Sequence, residues 1–337
     1  MKKLFSCFVC LLVSLSCAFG FSACGEQKSE NAVTLVAIDA NSVGVMENID
    51  YYVVPEPAAS TKVKAISDLN FAGDLQSLYG GENGYPQAVV VAKNSLLGTQ
   101  ILTDFISDIS SADEWLKSED TDIESIAKAI RDNLTEGLTP SITEKNLTKG
   151  VIKNCGIKFV NATDSKADII SFMEKFNSIG ESSFGMPSDE FFYDGTGGTA
   201  EYSQQVSVYA PDGAPALGLA KLMSQENTLE NVQYNIVNAN LIQTFVSGAD
   251  LKADICVLPV NVAVKILGNA QNYKFIGTLT HGNLYLLSKN NTQLNSDNLQ
   301  ELRGKTVGVI NLAQVPGLTF KLILKNYGIE FVEPFND

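Results

Sequence analysis

Val206-Ser-Val-Tyr-Ala-Pro-Asp-Gly-Ala-Pro-Ala-Leu-Gly-Leu-Ala-Lys-Leu-Met223 decides the fold class. Its first five residues pattern as a strand, Pro211-Asp-Gly213 is a turn, and Ala214 to Met223 pattern as a helix whose Pro215 suits the first turn. The same order recurs downstream. Strands are expected over Val232–Val237 and Ala253–Leu258, helices over Ala239–Val246 and Val262–Leu267, and an extended segment over Phe275–Ser288. A short helix at Asn298–Leu302 then precedes a strand at Lys305–Ile310, a loop at Asn311–Gly317, a helix at Leu318–Asn326 and a strand at Ile329–Val332. Strands alternating with helices imply parallel βαβ units, and so an α/β fold.

Toward the other end, Val33–Ile38 and Ile49–Val54 read as strands, with a helix or loop at Ala40–Met46 between them, and the second strand runs into Pro55-Glu-Pro57. Gln87–Ala92 is a further strand. Helical patterns dominate from Leu97 to Lys175, among them Ile101–Ile109, Ser111–Lys117, Ile123–Leu134 and Ile169–Phe176. Asp194-Gly-Thr-Gly-Gly-Thr-Ala200 is a flexible, low-complexity linker that divides the chain.

The first residues carry a different signal. Lys2 and Lys3, an apolar run from Leu4 to about Phe21, and Phe21-Ser-Ala-Cys-Gly25 describe a secretory signal over residues 1–23. A cysteine directly after Ser-Ala resembles the lipobox of bacterial lipoproteins, which implies acylation of Cys24, a solvated tether over 24–31, and a membrane-anchored protein on an extracytoplasmic face. A plain signal peptide and an N-terminal membrane anchor are the alternatives, and Cys17 is a weaker acylation site. The apolar run is short for the ~20 residues a spanning helix needs.

Composition narrows the partners. Thirty-eight acidic against 24 basic residues give a net charge of −14, which argues against nucleic acid and against electrostatic adhesion to anionic lipid. Of six cysteines, Cys7, Cys10 and Cys17 fall in the signal and Cys24 is the acylation candidate. Cys155 and Cys256 are then no disulfide framework, and Cys256 sits in Asp254-Ile-Cys-Val-Leu-Pro259 as a small hydrophobe.

Val206–Met223, with Tyr-Ala-Pro-Asp-Gly-Ala-Pro-Ala, resembles the opening strand and helix of solute-binding lipoproteins of ABC importers, in the group that includes nitrate, sulfonate, taurine and thiamine-precursor binders. Ala253–Asn261, Gly277–Ser288 and Lys305–Leu324 are similar to the succeeding segments of that family, in its order. Val33–Pro57 and Phe71–Ala92 resemble its later half, so the halves are exchanged. The resemblance implies a two-lobed α/β fold of the type II periplasmic-binding-protein kind, with a ligand cleft between the lobes and a circularly permuted segment order. One lobe would comprise residues 32–80 and 305–337, the other 81–190 and 203–300, with the linker at 194–200 joining the family's usual ends. A tandem or swapped arrangement is the rival, and a separation of strands 33–38 and 306–310 into different sheets would exclude the single-copy form.

In such a fold the ligand sits at loops leaving the carboxyl ends of parallel strands. Asp212, Gly213, Ala214 and Pro215 form one such loop, in which backbone N–H groups and a helix start hold a polar or anionic group, or Asp212 merely caps the helix. Gln314, Val315, Pro316 and Thr319 form the equivalent in the second lobe. Glu56, Pro57 and Ala58 come directly after a strand, with Glu56 a partner for a cationic nitrogen or a solvated strand end. Asn261 either touches ligand or caps a helix. Thr280 and His281 lie where the chain crosses between lobes, and Tyr85 either stacks on a ring or packs the hinge. Tyr52 and Tyr209 are further candidates for a planar heterocycle.

A single histidine without a partner nucleophile makes no catalytic triad and poorly supplies a transition-metal site. No catalytic residue, metal or cofactor is expected. The expected function is capture of a small molecule, polar or anionic and with a heterocycle among the options, by closure of two lobes and its delivery to an ABC permease. An enzyme on the same scaffold, like the thiamine-pyrimidine-forming relatives, and a surface sensor or interaction module are the alternatives.

Overall fold

The computed structural model describes residues 31–81, 84–179, 184–195, 198–224 and 229–334. The segment read as a secretory signal, and Cys24, lie outside the described residues.

Twelve strands are laid down in chain order: β1 (Val33–Ile38), β2 (Tyr51–Pro55), β3 (Asn70–Asp74), β4 (Pro86–Lys93), β5 (Ile157–Asn161), β6 (Val206–Pro211), β7 (Val232–Val237), β8 (Ile255–Pro259), β9 (Tyr273–His281), β10 (Leu284–Ser288), β11 (Thr306–Ile310) and β12 (Phe331–Val332). They form two six-stranded mixed sheets. The first has the order β12-β1-β11-β2-β10-β3 and the second β5-β9-β4-β8-β6-β7. This is a mixed α/β architecture, compatible with two lobes.

In the first sheet β11 lies parallel to both β1 and β2, with Thr34 opposite Thr306 and Ile38 opposite Ile310. Strands from the two ends of the chain therefore share one sheet. β10 then runs antiparallel to β2 and β3. In the second sheet β6 pairs in parallel with β7 and β8, while β4 is antiparallel to β8 and β9. β4 reads as a continuous apolar run because Ala88–Ala92 is buried along its whole length. One buried cluster includes Leu35 and Val53 of the first sheet and Val89 and Val257 of the second; a smaller one gathers Tyr52, Val54 and Leu287 on another face of the first sheet.

Several expectations change. The chain changes sheet where a crossing is expected, at His281, which divides the extended segment Phe275–Ser288: it turns through Gly282 (φ 72°) and Asn283 (φ 97°) and enters the first sheet at Leu284. Residues 284–288 thus belong with the strands of 32–80, not with 203–300. The helix expected over 214–223 is two short ones, Ala214–Gly218 and Ala220–Met223, parted at Leu219. Ala239–Phe245 is a 3-10 helix. β5 lies inside a stretch read as helical.

The last residues of the glycine linker, 198–200, are less free than their composition suggests. Gln100 N–H donates to the Ala200 carbonyl at 3.0 Å, Ala200 N–H to Gly98 at 3.2 Å, and Gly198 N–H to Thr103 Oγ1 at 3.1 Å. A Cβ at Gly198 would stand 1.8 Å from the Gly98 carbonyl oxygen, so glycine is required there by close approach of two backbones.

Candidate functional site

Four strands that run parallel to a neighbour end at one place. β2 and β11 of the first sheet and β6 and β8 of the second deliver their carboxyl-end loops to a pocket of about 640 Å³. Helices begin immediately after each loop: Ala58–Ala65, Val315–Asn326, Ala214–Gly218 and Val260–Leu267. None has a side chain of its N-cap residue bonded to its first turn. Seven of the ten prolines line the pocket, namely Pro55, Pro57, Pro140, Pro211, Pro215, Pro259 and Pro316. Proline suits both jobs: it can end a strand because it lacks an N–H for the ladder, and it can open a helix because that N–H would have no helical partner. The wall is consequently stiff and largely apolar.

Eleven of the residues expected at the site line this pocket: Glu56, Pro57, Ala58, Asp212, Gly213, Ala214, Pro215, Thr280, Gln314, Val315 and Pro316. Their roles differ from the simplest reading. Asp212 does not cap the helix Ala214–Gly218. Its Oδ2 accepts the Ser141 N–H at 2.7 Å and its Oδ1 the Gly213 N–H at 2.9 Å. Burial raises its pKa, and those N–H groups act the other way.

Glu56 is buried. Its Oε2 accepts the Ser60 N–H at 3.0 Å, and its Oε1 accepts the Ser60 hydroxyl at 2.6 Å and the Asn154 amide at 3.3 Å. It therefore caps the helix Ala58–Ala65 from outside rather than waiting for a cationic nitrogen.

Four expected residues do not line the pocket. Asn261 is in the first turn of its helix and caps nothing; its Nδ2 donates to Gln314 Oε1 at 3.2 Å, linking a loop of each sheet. Thr319 is fully buried one turn inside the helix Val315–Asn326. Tyr85 is fully buried, donates to Gln76 Oε1 at 3.3 Å and packs on Tyr79 and Phe172. His281 is near Lys158, and desolvation by burial with the Lys158 charge lowers its pKa to about 4. Tyr52 donates to the Met46 carbonyl, and Tyr209 stacks on Phe245 at 4.3 Å. Among the described residues no aromatic side chain lines the pocket.

Sequence reading missed the segment that covers the pocket from the side. Pro140, Ser141 and Asn146 come from a loop between helices, where nothing in the local pattern signals a site. Asp212 holds this loop by the Ser141 N–H. Asn146 Nδ2 donates to the Ser141 carbonyl at 2.8 Å and to Thr61 Oγ1 at 3.3 Å, on the helix after β2. Gln87 and Asn283 were missed too. Both line the pocket, and both have a buried amide oxygen with no hydrogen-bond partner. Lys62 is the single basic residue in the wall among the described residues.

Among the described residues no group of three or more histidine, cysteine or carboxylate side chains could hold a metal ion, and no helix is long and apolar enough to cross a membrane. No family model, curated protein or solved structure matches the chain.

Proposed function

We propose that the chain is an extracytoplasmic solute-binding lipoprotein that captures a small molecule between two lobes and hands it to an ABC permease, with Cys24 acylated as its anchor. The observation that carries this reading is the meeting of carboxyl-end loops from both sheets around one pocket of about 640 Å³, within the ~300–1,000 Å³ of small-molecule sites. The backbone passes between the sheets twice, before β4 and between β9 and β10, and the two connections lie side by side, with the Gly282 N–H donating to the Tyr85 carbonyl at 2.8 Å. Such connections can serve as hinges. A solute that touches loops of both sheets is bound best when they are close, so it shifts the population toward the closed form.

The neighbouring register of β1 and β11 supports a single fold with exchanged segment order over a tandem one. Binding without chemistry is favoured by the state of the carboxylates: Glu56 and Asp212 already accept hydrogen bonds at both oxygens.

A thermal-shift screen of the purified protein against a metabolite panel tests the reading. A captured solute at 100 times its Kd adds about 2.7 kcal/mol, and mass spectrometry under native conditions would find it at one per chain. Indifference to the whole panel, with only empty protein in the mass spectrum, would sink the proposal.

A further inference from the structure

We propose that the pocket selects an uncharged solute rich in hydroxyl or amide groups, and that the side-chain amides of Gln87 and Asn283 set this preference. The inference rests on the capture reading above and adds the chemistry of the captured solute.

The wall carries little net charge to hold an ion. Among the described residues it contains Lys62, Glu56 and Asp212, and neither arginine nor histidine. Each carboxylate is already satisfied by two or more donors of the protein. The helix starts at Ala58, Val260 and Val315 each add roughly half a positive charge at most, which offsets the remaining negative charge instead of creating an anion site. A net charge of −14 repels anions at long range as well. An anion would have to displace water while facing two carboxylates, and a cation would compete with N–H groups already on them.

What the wall has in abundance is neutral polarity. Seven side-chain amides and three hydroxyls line it. An amide both donates and accepts, so it matches O–H, N–H and C=O groups on a neutral partner. Among the described residues no aromatic ring lines the pocket, so aromatic stacking gives no basis for choosing a planar heterocycle.

Two amides stand apart. Asn283 is 3% exposed and its Oδ1 has no partner; Gln87 Oε1 is buried and unpartnered as well. Buried amides are normally satisfied, and half a turn about the terminal bond exchanges oxygen for NH2, so either face can be offered to a guest. Their places in the fold matter. Gln87 stands on β4 just after one connection between the sheets, and Asn283 is in the other, between β9 and β10. The Gly282 N–H donates to the Tyr85 carbonyl at 2.8 Å, so the two connections are neighbours and one solute can reach both amides at the joint between the sheets.

The test uses two pools offered separately to the purified protein in thermal melts. The neutral pool holds glucose, ribose, myo-inositol, glycerol, uridine and acetamide; the charged pool holds sulfate, phosphate, glutamate, taurine and spermidine. A member of the neutral pool is expected to raise Tm by about 5 °C at 100 times its Kd. Its affinity by calorimetry should stay the same from about 20 mM to about 500 mM NaCl, because no ion pair is there to be screened.

Gln87→Leu and Asn283→Gly should each weaken that binding by about tenfold or more. Glycine accepts the φ of 97° at position 283 without strain, so the second variant keeps the fold even where the first loses it. Stabilisation by the charged pool alone, or affinities within about twofold of wild type in both variants, overturns the proposal while capture itself survives. A protein stabilised by neither pool overturns the proposal, and native mass spectrometry then separates the two failures: a charged guest retains capture, and empty protein removes it as well.

Discussion

Replacing His281 by Gln should flatten the acid side of the stability profile, and the size of the effect is set by where the imidazole sits. Burial is the main reason its pKa falls from 6.5 to about 4; the charge of Lys158 adds to that, and a hydrogen bond to the Lys158 backbone works against it. Its Nδ1 is buried without a partner, so a proton there would have nothing to bind to. In the unfolded chain the imidazole regains its ordinary affinity. Between the two values the unfolded state therefore binds more protons, and stability falls as pH falls. The linked loss is negligible above about pH 7, about 2 kcal/mol at pH 5, and tends to about 3 kcal/mol below pH 4. Urea melts of wild type and His281→Gln at about pH 7.5 and about pH 5 measure it. Carboxylates titrate in both proteins and cancel in the difference, so the wild type should lose about 2 kcal/mol more than the variant. Equal losses would refute a buried neutral imidazole. Capture at about pH 7.5 should be unaffected by the substitution, because the side chain lies outside the pocket lining.

The loop over the pocket gives a second expectation: Asp212→Ala removes the acceptor of the Ser141 N–H, costs about 1–3 kcal/mol, and should speed hydrogen exchange over residues 140–147 while weakening capture, with Asp212→Asn intermediate. Gly198→Ala would drive a methyl group into the Gly98 carbonyl, and a loss of about 1–3 kcal/mol together with faster proteolysis of the linker is expected; a protease-resistant, fully stable variant would contradict the docking of residues 198–200. Cys155 and Cys256 are fully buried and desolvation raises both thiol pKa values, so peptide mapping should find neither alkylated by iodoacetamide until urea unfolds the chain.

The parts of the fold that sequence discloses are those whose residues satisfy one constraint at a time. β1, β6, β7 and β11 are short branched runs bounded by turn residues, and their limits are read to within one residue. β3, Asn70-Phe-Ala-Gly-Asp74, hides because its only buried side chain is Ala72, and β5 hides because Ile157 alone is buried in a stretch of helices. The passage from β9 to β10 is legible only in part: a crossing is expected at His281, but apolar residues continue on both sides, so residues 284–288 are assigned to the wrong strands, and it is the backbone at Gly282 and Asn283, with φ of 72° and 97°, that turns the chain from one sheet to the other.

The pocket divides along the same line. Its proline-bearing loops are legible because a residue that must both stop a strand and start a helix has few alternatives, and proline recurs at 55, 57, 211, 215, 259 and 316. Its polar groups are not, because Gln87, Asn146 and Asn283 obey no period and acquire meaning only from the groups that long-range packing sets opposite them. Rigid loops supply shape at almost no cost in local ordering, while selectivity is left to amides whose partners the fold withholds. On the capture reading proposed above, a solute would be read chiefly by the residues that local sequence says least about, and substitutions at Gln87 and Asn283 should change which solute is captured before substitutions at the prolines do.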